Sequence, residues 1–352
     1  MSVVITGRGV VSPLGNARPA FAAALRAGTQ PCAAPFPGGS DNDPPLLHLA
    51  PALEGADPRD EPLTSFVTAA VREALAEAGI VAGEAPLDDV GLIMNTALGP
   101  SGAVESYLER LAERGPRAAR PAQFVDTLLS MPASRVGIAL KLRGCTGVVG
   151  GSSAFEIALD WVRSGRERTV VAGGADCLSP KCLRHHRALV RRSGAPRALP
   201  AQGASFVVLE SAERAAERGV RPLAELLGAG VVSQPQEVSV PWSSDDTGAA
   251  FHSTMRAALA DAGLEAADVG AVALAAGDDA SERGELAAVR DVLGEAPTVL
   301  RPKRLFGEAL AGSAGLALLA ALEQVAPGNT ALVNAFELGG TVSSLAFQAR
   351  AP

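Results

Sequence analysis

Val3-Val4-Ile5-Thr6-Gly7-Arg8-Gly9-Val10-Val11-Ser12-Pro13-Leu14-Gly15-Asn16 opens the chain. Val3 to Val11 reads as a buried strand and Ser12 to Asn16 as the turn that ends it. Apolar runs bounded by glycine then alternate with helical patterns along the whole length, which is the signature of a layered α/β fold. In the first half the spacing predicts helices over Pro62 to Ala78 and Ala154 to Ser164, the latter stopped by Gly165. Strands are expected at Val90 to Thr96, Thr169 to Ala172 and Phe206 to Leu209. Phe124 to Leu142 has apolar residues at helical intervals despite Pro132, and Glu210 opens a charged helix ending at Gly219.

The second half repeats the theme. Ala249 to Ala262 reads as a helix closed by Gly263, Val269 to Ala275 as a strand and Glu282 to Val292 as a helix. Ala309 to Val325 is almost wholly apolar, so it should be buried on most sides. Ala331 to Phe336 and Val342 to Phe347 form a closing hairpin. Two similar α/β halves, residues 1–235 and 236–352 joined near Val231 to Trp242, suggest an internal duplication. Pro31 to Pro58 and Ser193 to Ala201 are rich in Pro, Gly and Ala and read as loops.

Composition narrows the classes. The chain has 352 residues, 47% hydrophobic and 20% charged, enough for a large core and against disorder. Aromatics are 4%, so Ala, Val and Leu must fill that core. The net charge of −7 and the lack of a basic stripe argue against a nucleic-acid binder. Arg117, Arg120, Arg184, Arg191 and Arg192 could form a local patch for an acidic partner, or be ordinary surface arginines. No apolar stretch reaches the roughly twenty residues of a membrane span, and the first residues lack the basic head of a signal peptide. Cys32, Cys145, Cys177 and Cys182 include no CxxC pair and no metal-ligand spacing with His48, His185, His186 and His252. A cytoplasmic, reduced chain with no cofactor, no metal and no membrane partner is expected.

Six segments together resemble the β-ketoacyl synthases of fatty acid and polyketide assembly. They are the opening run, Leu142-Arg143-Gly144, the helix Ala154 to Gly165, Ala172-Gly173-Gly174-Ala175-Asp176, Gly203 to Glu210, and Asn334-Ala335-Phe336-Glu337-Leu338-Gly339-Gly340-Thr341. The resemblance implies a thiolase-like fold, with two duplicated α/β halves in an α-β-α-β-α layered arrangement. It also implies where reactive residues belong. A cysteine should stand at the N-terminus of the buried helix, where backbone N–H groups and the helix dipole activate the thiol and hold an oxyanion. Counting back from Gly165 places Val148 there; counting forward from Gly144 places Ser153 there. Neither is cysteine. Cys145, directly after Arg143-Gly144, reads as a buried structural thiol on the strand.

Two histidines should decarboxylate the extender unit and stabilise its enolate. The Ala-His-Gly turn of the first reads Ala275-Ala276-Gly277, and the Lys-x-x-x-Gly-His pattern of the second reads Lys303-Arg304-Leu305-Phe306-Gly307-Glu308. Glu308 would pair with Lys303, or serve as a base if burial raised its pKa. The histidines present do not substitute: His48 lies in a loop, His252 at a helix start, and His185 and His186 in a solvated basic stretch. Leu338 takes the usual place of a gating phenylalanine, and Cys177 to Gly203 is shorter than the corresponding family loop.

A ketosynthase scaffold with these vacated positions resembles the chain length factor, or KSβ subunit, of type II polyketide synthases. The resemblance implies no catalysis by the chain alone. It also implies a heterodimer with an active ketosynthase, an acyl carrier protein engaged through the complex, and a shared acyl-chain tunnel. Phe124, Leu128 and Met131 on one helical face, and the pair Tyr107 and Leu111, would line that tunnel or simply belong to the core. Gly150-Gly151 matches the subgroup, whereas Val148 replaces its usual glutamine. The short chain suggests a divergent branch serving a reduced polyene. The alternatives are an acyltransferase or hydrolase using Ser152 or Ser153, and a homodimeric ketosynthase-like protein without an active partner.

Overall fold

A computed structural model of the chain describes residues 1–31, 33–35, 46–53, 61–151, 154–193, 198–234 and 248–351. The strands are β1 (Val3–Val11), β2 (Ala34–Pro35), β3 (Leu46–Leu47), β4 (Val90–Asn95), β5 (Thr146–Val149), β6 (Thr169–Asp176), β7 (Gly203–Ser211), β8 (Ala224–Ser233), β9 (Val269–Ala273), β10 (Thr298–Leu300), β11 (Thr330–Phe336) and β12 (Thr341–Ala349). The α-helices are α1 (Arg18–Ala27), α2 (Pro62–Glu77), α3 (Ser101–Arg114), α4 (Pro121–Val125), α5 (Met131–Leu140), α6 (Ala154–Arg163), α7 (Pro180–Ser193), α8 (Ala212–Glu217), α9 (Ala249–Ala262), α10 (Asp279–Leu293), α11 (Lys303–Phe306) and α12 (Ala311–Gln324).

Ten strands form one sheet in the order β10-β9-β11-β12-β8-β1-β7-β6-β4-β5. At its centre, Val3–Ile5 of β1 pair antiparallel with Ala224–Leu226 of β8. Outward from that seam the two halves have the same plan: β1-β7-β6-β4-β5 on one side and β8-β12-β11-β9-β10 on the other. Each has antiparallel pairs near the seam and parallel pairs beyond. The correspondence reaches single residues. The β1–β7 register skips Thr6, and the β12–β8 register skips Leu227 at the equivalent place. Because β8 takes the role of β1, we propose that the second copy of the repeat begins at β8; residue 235 lies outside the described residues.

The layers follow from where the apolar side chains go. One core holds Ile93, Val170 and Val207 of the first half with Ala271, Val333 and Leu345 of the second, and α6 and α12 lie between them. Helix α12 is buried without interruption from Ala311 to Ala321, as its nearly all-apolar sequence requires. Helices α2 and α5 cover the outer face of the first half, and α9 and α10 that of the second. The result is α-β-α-β-α. Gly9 shows why the opening strand needs glycine: a Cβ there would lie 1.8 Å from the Ala70 carbonyl oxygen, so α2 rests directly on the β1 backbone.

Arg8 ties the layers together. Its guanidinium donates to Glu77 on α2 and to Glu323 on α12, the latter at 3.0 Å, with the Arg8 side chain only 9% exposed. Arg8→Ala leaves both carboxylates with one cation fewer, and Arg18 is the one that remains. A loss of about 2 kcal/mol in urea unfolding is expected.

Several local expectations are corrected. Phe124 to Leu142 is not one helix: α4 ends at Val125, a turn follows, and α5 starts at Met131 with Pro132 in its first turn, where a missing N–H costs nothing. Glu210 opens no helix. It is a fully buried residue of β7, paired with Arg218 and accepting hydrogen bonds from Thr6 and Thr169. Ser193, the first residue of the loop expected up to Ala201, is the last residue of α7, a helix whose basic sequence hid it.

Candidate functional site

The carboxyl ends of β4, β5 and β6 converge with those of β9 and β11 at the junction of the halves. Here β5 turns through Gly150 and Gly151 towards α6. Gly151 has φ +65°, and a Cβ on it would stand 2.5 Å from the Leu338 carbonyl oxygen. The turn after β11 therefore sits directly on the turn after β5. Val148 is not at the helix start, as the count from Gly165 had it: it is half-buried within β5, paired with Met94, and α6 begins only at Ala154. A strand end lengthened by two glycines, rather than a continuous helix, absorbs the difference. Ser152 and Ser153 lie outside the described residues.

Around this junction stand the other positions singled out from the sequence. Ala276 is 2% exposed, and its N–H donates to Glu285 at 2.8 Å. Lys303 Nζ donates to Glu308 Oε2 at 2.6 Å. The other oxygen of Glu308 accepts from the Leu310 N–H at 2.9 Å and from the Ser313 hydroxyl at 2.8 Å, so this carboxylate is fully engaged. Leu338 lies over Gly151, as described.

Four polar residues here lay within motifs, a strand or a helix of the sequence reading without being singled out. Asp176 ends β6 and collects the Thr96 hydroxyl at 2.8 Å and the N–H groups of Ala97, Leu98 and Ala311. Burial nevertheless pushes its carboxyl up to about 6. Glu285 accepts from Ala275, Ala276 and the Asn334 amide, and burial pushes it up to about 7. Glu337 and Asn95 are 1% and 2% exposed, and neither side chain has a hydrogen-bond partner among the described residues. Burial pushes Glu337 up to about 8 against the Asn95 amide, which faces it without closing a hydrogen bond, and Lys303; Asp176 and Glu308 push it further up. A charged residue directly after a buried strand was the signal available in the sequence.

Cysteines and histidines fall elsewhere. Cys145 is half-buried, not fully buried, because it lies at the entry to β5, at the far end of the strand from the glycine turn. Cys177 is buried, which raises its thiol well above the ordinary value and leaves it a poor nucleophile. His186 is buried on α7 rather than solvated, and His185 is exposed. His48 is also buried, with Nδ1 3.3 Å from the Phe306 carbonyl oxygen beside Gly307, and burial lowers its pKa.

A second feature adjoins the glycine turn. From Gly102 to Met131 no residue is buried. Leu108, Phe124, Leu128 and Ile138 are 54%, 51%, 41% and 79% exposed. Tyr107 and Leu111 are half-buried on α3, with the Tyr107 ring 5.9 Å from that of Phe124; Met131 is half-buried at the start of α5. Phe124, Leu128 and Met131 thus share a surface but not a helical face. Leu129 carries this surface to Gly99 and Gly150. Beside it β5 is an edge strand bonded only to β4. Exposed apolar side chains thus stand beside the edge strand of the sheet. Arg117, Arg120 and Arg184 are exposed; the side chains of Arg191 and Arg192 lie outside the described residues. Among the described residues no helix is long and apolar enough to cross a membrane.

Fold and site define a duplicated, five-layer α/β protein of the thiolase-like class, with its polar centre between the halves. Residues 1–215 match the family described as "Beta-ketoacyl synthase, N-terminal domain". The chain belongs to the β-ketoacyl synthase family. It is 27% identical to "3-oxoacyl-[acyl-carrier-protein] synthase 2" of Rhizobium meliloti (strain 1021), covering 97% of both chains. It is 27% identical to "Nodulation protein E" of the same strain, over 79% of this chain and 80% of the relative. Among solved structures, "The ishigamide ketosynthase/chain length factor" superposes with a TM-score of 0.85 at 23% identity over 99% of each chain. "AntDE:AntF (apo): type II PKS acyl-carrier protein in complex with its ketosynthase bound to the hexaketide" does so with 0.85 at 21% identity, also over 99% of each. At these identities the two solved structures speak to the fold.

Proposed function

We propose that the chain is a chain-length-factor-type subunit. It does no carbon–carbon bond formation alone, pairs with an active ketosynthase, and shapes the tunnel for the growing acyl chain. The observation that carries this reading is the content of the junction. A ketosynthase mechanism needs a thiolate and two imidazoles converging there. The sequence has no cysteine between Cys145 and Cys177. Ala276 stands in one histidine position, and in the other Glu308 is tied to Lys303, Ser313 and the Leu310 N–H. A carboxylate with both oxygens engaged is a poor proton shuttle. The catalytic relatives such as 3-oxoacyl synthase 2 share the scaffold, so the reading rests on these residues and not on likeness.

The apolar surface from α3 to α5 and the free edge of β5 support the pairing, and the neighbours whose descriptions name a ketosynthase/chain length factor and a carrier-protein complex agree with it. Tyr107, Leu111, Phe124, Leu128 and Met131 then line the tunnel where the subunits meet, and exposed Arg117, Arg120 and Arg184 face an acidic carrier. In the complex, loading with an acyl thioester should add acyl mass to the ketosynthase and none to this chain. Acyl mass on Ser152 or Ser153 would overturn the reading in favour of an acyltransferase. Leu128→Trp should shorten the products while turnover continues; unchanged product lengths would remove Leu128 from the tunnel.

A further inference from the structure

The duplication makes Glu337 comparable with Asp176. Asp176 stands opposite Gly203 across β6 and β7, and Glu337, whose N–H donates to Thr341, stands at the same register across β11 and β12. Asp176 has four donors. In the second half none of their counterparts reaches Glu337, and for the hydroxyl the reason is plain. Ile93 pairs with Ala172 as Ala273 pairs with Val333, so three residues further on Ala276 occupies the place of Thr96 and offers no hydroxyl. The N–H groups of Ala275 and Ala276, the counterparts of Asn95 and Thr96, donate to Glu285 and not to Glu337. Glu337 is thus a buried carboxyl without a donor. It faces an equally unpartnered Asn95 and shares its surroundings with Asp176 and Glu308 against the single cation Lys303, itself committed to Glu308. A carboxylate could not persist there; a carboxylic acid can.

The backbone that carries it forms one closed turn. Glu337 N–H and carbonyl close the β11–β12 turn through Thr341 and Gly340, and Gly339 and Gly340 have φ +130° and +88°. Leu338 presses its carbonyl on Gly151. We propose that Glu337 is a proton-held latch: as a neutral acid it keeps the Glu337–Gly340 turn seated on the Gly150–Gly151 turn, and its ionisation unseats it. The charged groups facing it are Asp176 on β6, Lys303 on α11 and Glu308 before α12; Asn95 on β4 is neutral. Ionisation would set three carboxylates against one ammonium.

The sign follows from linkage. The seated turn holds a proton up to about pH 8, whereas an opened, solvated Glu337 loses it near its ordinary 4.5. The seated form is therefore favoured at low pH and loses ground as pH rises to about 8, after which the balance is level. One proton corresponds to about a tenfold rise in the opening constant per pH unit. Hydrogen exchange of the amides from Glu337 to Thr341, corrected for intrinsic rates and measured on the chain with any partner that copurifies, should show this rise and plateau. Glu337→Gln should abolish the pH dependence while leaving the turn seated. If wild type and variant share one flat profile, the latch is wrong. Should Glu337→Gln fail to fold, carbon NMR titration of the wild-type carboxyl decides: a midpoint above 7 is expected, and one in the ordinary carboxylate range overturns the proposal. Neither outcome depends on a ketosynthase partner.

Discussion

Phe124→Asp combined with Leu128→Asp is expected to leave the chain folded and to weaken its association with an active ketosynthase by at least a hundredfold. Both side chains are about half exposed in the free chain, so replacing them removes little buried area, and the fold should change by about 0.5 kcal/mol or less for each. In a complex the same positions would be central, next to the edge of β5. Two unpaired carboxylates would be buried there at a cost of several kcal/mol. Size-exclusion chromatography of the copurified pair and circular dichroism of the variant separate the two effects. If the double variant still copurifies one-to-one, the interface lies elsewhere.

Asp176→Ala is expected to cost about 4 kcal/mol of stability, among the larger single-residue effects in the chain. It strands the Thr96 hydroxyl and the N–H groups of Ala97, Leu98 and Ala311 in a place water does not reach; each unsatisfied buried donor costs about 1–3 kcal/mol, not additively. Because Ala311 is the first residue of α12, the loss also loosens the central helix from β6. Asp176→Asn keeps the shape but only one acceptor oxygen, and its NH2 would face two of the four donors, so it should also destabilise, by less than Asp176→Ala. The two forms should also differ in pH dependence. The carboxyl rises from 3.8 to about 6 on folding, so native protein binds a proton that unfolded chain releases. The stability of wild type relative to Asp176→Asn should therefore fall as pH rises from about 4 to about 6 and stay level above it. Urea unfolding at three or four pH values reads this directly; a relative stability that rises over that interval would contradict the assignment.

How far the fold could be read from the residues depended on whether each element is buried by this chain alone. The opening strand, α12 and the closing hairpin were legible because their apolar runs are buried on both sides. Strand β5 was not recognised as ending at Val149: it is short, carries a glycine and is only half-covered, and that gap moved Val148 into the turn. The Phe124 to Leu142 segment misled because the exposed apolar residues of α4 and the following turn continue the spacing of the buried face of α5 and imitate one helix. Basic residues concealed α7, and Glu210 read as helical because its partners Arg218, Thr6 and Thr169 come from three separate segments.

Ala276 and Glu308 stood out in the sequence as departures from the turns that the resemblance implies, whereas Val148 was counted to the wrong place. Glu337 and Asp176 appeared only as letters within glycine-rich segments, and their importance depends on burial and on which donors reach each carboxyl. The correspondence between them needs the strand registers of both halves, down to the shared irregularity at Thr6 and Leu227.

The most direct test of the central claim is co-expression with a ketosynthase from the same source that keeps the cysteine and both histidines, with an affinity tag on this chain only. The account predicts a one-to-one complex that extends acyl chains on a carrier protein, with neither subunit active alone. A homodimer of this chain that ignores the ketosynthase, or extension activity from this chain by itself, would contradict it.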